Sequence, residues 1–173
     1  MTSLYLIIAF ALLYAWKKTR QFAIYFLPWL IFAVTYDSMR FYPNYLVNDI
    51  DVRGLYEAEK SLFGITASSS ADLQAIADHT NVMIPGEWFK VHHCGFADFM
   101  AGIFYLCWVP VPVAFALYLF FKKQYKWFMR FSWSFLVVNL IGFIGYYIHP
   151  ASPPWYVMNY GFEPILHTPG NVA

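Results

Sequence analysis

The side chains of this chain that could do chemistry are few and bunched. Its histidines are His79, His92, His93, His149 and His167, and its acids run from Asp37 to Glu163. His92-His93-Cys94, with His79 nearby in sequence, is a cluster of metal-ligating types. Adjacent histidines point in different directions on a helix or strand, and no Cys-x-x-Cys accompanies them. The favoured reading is a polar interfacial cluster, with no metal. A second concentration is Tyr146-Tyr147-Ile148-His149-Pro150-Ala151-Ser152-Pro153-Pro154-Trp155-Tyr156. A helix cannot run through these prolines, so one must end here, and a stiff, extended aromatic segment is expected to follow. Cys94 and Cys107 are expected at different depths and unbridged.

The elements that carry these residues must suit an unusual composition. Of 173 residues, 60% are hydrophobic, 23% aromatic and 12% charged, against roughly 25% charged in a soluble domain. That excludes a soluble enzyme, a disordered chain and a disulfide scaffold. A net charge of +1 without a large basic cluster argues against a nucleic-acid partner. A polytopic membrane protein remains, with room for about four to six helical spans.

Apolar stretches place four spans at about 4–16, 21–38, 96–121 and 127–148, with an outer loop at 39–95 and an outer tail at 149–173. Basic stop sequences follow the first and third. The short connections hold Lys17, Lys18, Arg20, Lys122, Lys123, Lys126 and Arg130, so the positive-inside rule makes them cytoplasmic. Every acid and histidine then falls on the outer face or at its boundary, periplasmic or lumenal. Short connections lean towards a bacterial inner membrane. Trp16, Trp88, Trp127 and Trp155 sit where spans meet water, as interfacial anchors do.

The outer loop is too long for a plain connector. Asp51 to Phe63 reads as an amphipathic helix with Asp51 as N-cap. Val52, Leu55, Tyr56, Leu62 and Phe63 form its apolar face, which suits either the membrane interface or the protein's own bundle. Gly64 is its stop. Ser69 and Asp72 suggest a capping box for a helix over 71–79. Pro85-Gly86 reads as a turn. Asp37 and Arg40, like Asp98, are ionisable groups at a membrane boundary, where they are costly unless structural or functional. His149 could bond a head-group oxygen or cap a helix C-terminus.

The segment Pro153-Pro154-Trp155-Tyr156 resembles the signature of inositol phosphorylceramide synthases and their bacterial relatives, within the superfamily named for type 2 phosphatidic acid phosphatases. Three more stretches are similar to the same family: the loop helix from Arg53 to Gly64, the return Pro85-Gly86-Glu87-Trp88-Phe89, and His167-Thr168-Pro169-Gly170-Asn171-Val172-Ala173. The resemblance implies an all-α, six-helix membrane bundle of which this chain supplies the N-terminal four spans. It implies transfer of a phospholipid head group through a phosphohistidine, with a second histidine as general acid and an aspartate to orient the nucleophile, and without a metal or other cofactor. A phosphatidylinositol-like donor and a ceramide or other lipid hydroxyl acceptor are the implied partners. Neither family histidine motif, Pro-Ser-Leu-His or His-x-x-x-Asp, occurs here. The chain therefore reads as a truncated, inactive portion with no catalytic residue of its own. Its substrate-binding candidates are His149, Pro153, Pro154, Trp155, Tyr156 and Arg40. The alternatives are a non-catalytic scaffold or lipid-binding subunit, and a transporter subunit using Asn139, Ser132 and Ser134.

Overall fold

The computed structural model describes residues 2–166 and 168 and is mostly helical. The helices are α1 (Thr2–Ala15), α2 (Arg20–Tyr25), α3 (Leu27–Ser38), α4 (Gly54–Phe63), α5 (Ser70–Ala75), α6 (Pro85–Val91), α7 (Gly95–Leu106), α8 (Pro110–Phe121), α9 (Tyr125–Ile148) and α10 (Pro154–Tyr160). Two short strands, β1 (Ile65–Thr66) and β2 (Val82–Met83), pair antiparallel with Ile65 opposite Met83. They add a small two-stranded sheet, with α5 between its strands in sequence, to the all-α expectation. The chain divides into two compact units, Met1–Pro43 with Phe104–Gly145, and Asn44–Ile103 with Tyr146–Ala173.

The four expected spans are drawn more coarsely. Among the described residues, only α9 is by itself long and apolar enough to cross a membrane. It begins two residues before the expected Trp127, so Tyr125 and Lys126 already belong to it. The stretch 96–121 is a broken pair, α7 and α8, interrupted just before Pro110. The stretch 21–38 is broken at Phe26, with Pro28 in the first turn of α3. The first apolar helix is short.

Proline explains these breaks and two further differences. Pro85 opens α6 instead of making a turn, and Pro154 opens α10 instead of extending the chain. Proline has no N–H to donate, but the first helical turn leaves its N–H groups unpaired in any case, and a fixed φ near −65° suits it. Thus Pro28, Pro85, Pro110 and Pro154 all stand where helices start.

In the first unit, an aromatic core of Phe26, Trp29, Ala116, Leu119 and Phe128 joins α2, α3, α8 and α9. The Trp29 indole Nε1–H donates to Ser132 Oγ at 3.0 Å, so the buried serine is satisfied. Thr19 Oγ1 donates to Leu13 O at 2.6 Å and Arg20 Nε to Tyr14 O at 3.0 Å. The basic turn therefore closes the C-terminus of α1, where carbonyls lack partners and a cation is favoured. Asn139 donates to Phe135 O of its own helix at 2.8 Å. That bond accounts for Asn139 without a transport path.

The second unit packs Val52, Tyr56, Ile84, Tyr156 and Val157 together. Tyr56 turns α4 inward, while Leu62 and Phe63 of its apolar face are left exposed. The helix stops before Gly64, as the sequence suggests. A Cβ there would meet Lys60 O at 2.4 Å and Val82 Cγ1 at 2.7 Å, so only glycine lets β2 lie this close. Lys60 Nζ bonds Asp78 Oδ2 at 2.5 Å and Thr80 Oγ1 at 2.6 Å. Burial acts to raise the Asp78 carboxyl, but the Lys60 and Thr80 hydrogen bonds outweigh it and hold it below the usual range.

The Ser69–Asp72 capping box forms, although its helix ends at Ala75 instead of reaching His79. Asp72 is buried and accepts from the backbone N–H of Ser68 and Ser69, each at 3.0 Å, and bonds His92 Nε2 at 2.9 Å. The Ser68 backbone bond, helped by His92 and the serine hydroxyls, overcomes burial and holds this carboxyl well below its ordinary 3.8. A depressed folded pKa stabilises above the unfolded value and is lost as pH falls through the folded one. The protection of the α5 amides, taken relative to the exchange rate of an unfolded chain at the same pH, is therefore expected to fall as pH drops below about 4. Asp72→Asn should show low protection at neutral pH already and little further loss on acidification. Equal acid sensitivity in both proteins would contradict this.

Candidate functional site

The site is assembled where α9 ends. The last carbonyls of that helix need partners from outside it. Asn44 Nδ2 donates to Tyr146 O at 3.5 Å, and Asn48 Nδ2 to Tyr147 O at 2.8 Å and Ile148 O at 3.3 Å. Two asparagines thus perform the capping considered for His149. Beyond the helix, Asp51 N–H donates to Pro150 O at 2.8 Å, and Ser152 N–H returns to Asp51 O at 2.9 Å. This isolated parallel bridge of Asp51 with Ala151 fixes the proline segment against the stretch leading to α4.

The bridge brings Asp51 to His149, with Oδ2 and Nε2 3.2 Å apart. The other oxygen, Oδ1, accepts from Gly54 N at 2.7 Å. The helix begins at Gly54, three residues later than expected, and Asp51 caps it from outside. A Cβ at Gly54 would fall 2.1 Å from Asp51 Oδ2, so glycine is required for the carboxyl to lie there. When Nε2 carries the proton, it donates a hydrogen bond to Asp51, which sets the tautomer. His149 Nδ1 makes no hydrogen bond among the described residues. The His149 side chain is 65% exposed and that of Asp51 31%. The pair is therefore held in place by α4 and the bridge yet open to a ligand. Neutral, Nδ1 can accept a hydroxyl proton; protonated, it can donate to a phosphate oxygen.

The neighbouring motif divides in two. Trp155 is exposed, and Pro153 and Pro154 are half-buried. Tyr156 is fully buried, packs at a tilt against Tyr160, accepts from Ile165 N–H at 2.9 Å and donates to Glu163 O at 2.9 Å. It is committed to the interior of its own unit. Arg40 belongs to the other unit. Its Nη2 lies 2.5 Å from Asp37 Oδ1, and its guanidinium sits over Phe41. Asp37 also accepts from the backbone and hydroxyl of Ser3, which ties the end of α3 to the start of α1. His92 and His93 go to different carboxyls, Asp72 and Asp98. Among the described residues, no three His, Cys, Asp or Glu side chains are grouped for a metal. The stretch from His167 onward lies outside the described residues except for Thr168, whose hydroxyl donates to Ile165 O at 2.6 Å.

A family model described as the PAP2 superfamily matches residues 77–172. The chain belongs to the PAP2 superfamily. It is 57% identical, over all 173 of its residues, to the phosphoinositol dihydroceramide synthase of Bacteroides thetaiotaomicron, and the match covers 52% of that protein. The PAP2 chain therefore spans about half the length of the curated relative it matches. No solved structure matches it.

Two residues of this PAP2 chain escaped sequence reasoning. Asp51 was visible only as a helix cap, because its approach to His149 spans almost a hundred residues of sequence. Glu87 is fully buried and accepts from Tyr56 Oη–H at 2.9 Å, Ala77 N–H at 2.8 Å and Ile84 N–H at 2.9 Å. The available signal was local: Pro85-Gly86-Glu87 places an acid at the third helical position, where it can reach back to the cap residue. Burial, reinforced by Glu87, pushes the Tyr56 phenol far above its ordinary 10.0, so it remains a donor.

Proposed function

We propose that this chain is part of a multi-pass membrane enzyme that moves a phosphoinositol head group from a phospholipid donor to a ceramide-type acceptor. The observation that carries this reading is its 57% identity, along its entire length, to a protein named for that product class. The proposed placement is a bacterial inner membrane, with the short basic turns inside and the loop 39–95 and tail 149–173 on the outer face. The sorting of charge supports it: the loop holds Asp51, Asp72, Asp78 and Glu87, while Lys17, Lys18, Lys122, Lys123 and Lys126 fall in the short turns.

Within the proposed site, His149 and Trp155 are the groups that touch the lipid head group. Pro153, Pro154 and Tyr156 hold their segment in shape, and Asp51 positions the His149 ring. Arg40, in the first unit, is proposed separately as a phosphate-binding residue, with Asp37 to orient it. The transfer chemistry itself is assigned to family histidine motifs that this stretch does not contain.

The test is head-group transfer from phosphatidylinositol to ceramide in membranes holding the natural gene product. Asp51→Asn is expected to raise KM for the donor roughly tenfold with kcat little changed, as expected for one lost charge-assisted hydrogen bond. His149→Ala should do the same, and the double variant should be no worse than either single one. Absence of transfer by the natural protein would sink the functional reading. Normal KM in both single variants would sink only the site.

A further inference from the structure

Charge is sharply divided between the two units. The first carries Lys17, Lys18, Arg20, Arg40, Lys122, Lys123, Lys126 and Arg130 but one acid, Asp37. Asp37 is already engaged by Arg40 and Ser3. Arg130 therefore has no acidic partner in its own unit. It stands in the second turn of α9, the helix that is long and apolar enough to span a membrane. A guanidinium in such a helix is costly unless a counter-charge or water meets it. Its described contact is the face of Trp127, 5.3 Å from the ring centroid.

Arg130 also borders a cavity of about 470 Å³ between α8 and α9. Phe115, Leu119, Trp127 and Phe131 give it a mostly apolar lining, to which Gln124, Ser134 and the single cation Arg130 add polar groups. Lys122, Lys123 and Lys126 lie in the adjoining turn and first helical turn and form no ion pair among the described residues. An apolar slot lined by one arginine, with three lysines close by in sequence at the same end of a membrane helix, has the polarity of one lipid molecule. The volume falls within the range of small-ligand pockets.

We propose that this cavity binds an anionic phospholipid. One acyl chain lies along Phe115, Leu119, Trp127 and Phe131, and the phosphate sits on Arg130 with the lysines around it. Arginine suits the phosphate because its planar fork can donate two parallel hydrogen bonds. Basic pockets between membrane helices recognise anionic head groups in this way. A zwitterionic lipid brings its own ammonium to the same cations and is disfavoured. The site lies wholly in the first unit and does not depend on the reaction proposed for the second.

The experiment uses the natural gene product purified into bilayers of phosphatidylcholine alone or mixed with phosphatidylglycerol. Lipid retained on release from the bilayer is identified by native mass spectrometry, and quenching by lipids with brominated acyl chains is compared with that in Trp127→Phe. Phosphatidylglycerol is expected to be retained in preference and to quench Trp127. Arg130→Gln should lower that retention about tenfold, and Arg130→Lys should restore part of it. Should Arg130→Gln fail to fold, Ser134→Phe offers a second route, because Ser134 lines the same cavity and the variant fills it while keeping every charge. That variant should also lose the lipid. Equal retention of both lipids overturns the proposal, as does unchanged retention in Arg130→Gln or Ser134→Phe. A cavity filled by another helix of the protein would show neither head-group preference nor quenching at Trp127, and that result also overturns it.

Discussion

Glu87→Ala is expected to unfold the second unit. The Glu87 carboxyl has no exposed surface, and it ties together three elements: the Tyr56 hydroxyl of α4, the Ala77 amide after α5, and the Ile84 amide that precedes α6. Alanine removes all three acceptors at once. Each buried donor left without a partner costs about 1–3 kcal/mol. The void adds to this, though water entering it would recover some. A total of roughly 3–5 kcal/mol is a large share of the stability of a small domain. Glu87→Gln separates the contributions. Its carbonyl can still accept from Tyr56 and Ala77, but its amide group faces the Ile84 N–H, donor against donor. A loss of about 1–3 kcal/mol is expected there. Thermal unfolding in detergent, read by intrinsic fluorescence, should rank the proteins natural, Gln, Ala. An alanine variant as stable as the natural protein would show that the carboxyl joins nothing of consequence.

Tyr156→Ala carries the second large effect, and it bears on how the proline–aromatic signature works. The ring is fully buried among Val52, Tyr56, Ile84 and Val157. Its hydroxyl bridges the backbone at Glu163 and Ile165. Deleting a buried aromatic ring costs about 3–5 kcal/mol, and two backbone groups lose their partner as well. Tyr156→Phe keeps the ring and should cost about 1–2 kcal/mol. If Tyr156 only frames the site, the phenylalanine variant keeps its KM for the lipid donor within about twofold, whereas Trp155→Ala raises it clearly. A strong KM effect in Tyr156→Phe, with stability unchanged, would instead make the hydroxyl a direct contact.

Much of the local structure was legible from residue type. Gly64 stops α4, and Ser69 with Asp72 caps α5, because these are contacts within a few residues. The prolines were harder. Pro28 falls inside the expected span 21–38, while Pro85 and Pro154 read as a turn and an extended stretch. Each sits in a first helical turn instead. A proline forbids the turn before it but suits the turn it begins. Which effect governs depends on whether the following residues have something to pack against. For Pro154 the reason is tertiary: Tyr156 and Val157 are buried in the second unit's core.

Composition alone determined that this is a largely helical chain suited to a membrane, because so few charges cannot solvate so much apolar surface. The order of short motifs sufficed to place it in its superfamily. The partners of the charged and polar groups were decided only by the tertiary structure. His149 meets Asp51, Glu87 meets Tyr56, and Trp29 meets Ser132 across long stretches of sequence, while Arg130 forms no ion pair among the described residues. A side chain's type fixes what it can bond. Its burial and its counterpart, which decide whether it frames the fold or remains open to a ligand, depend on how distant segments pack.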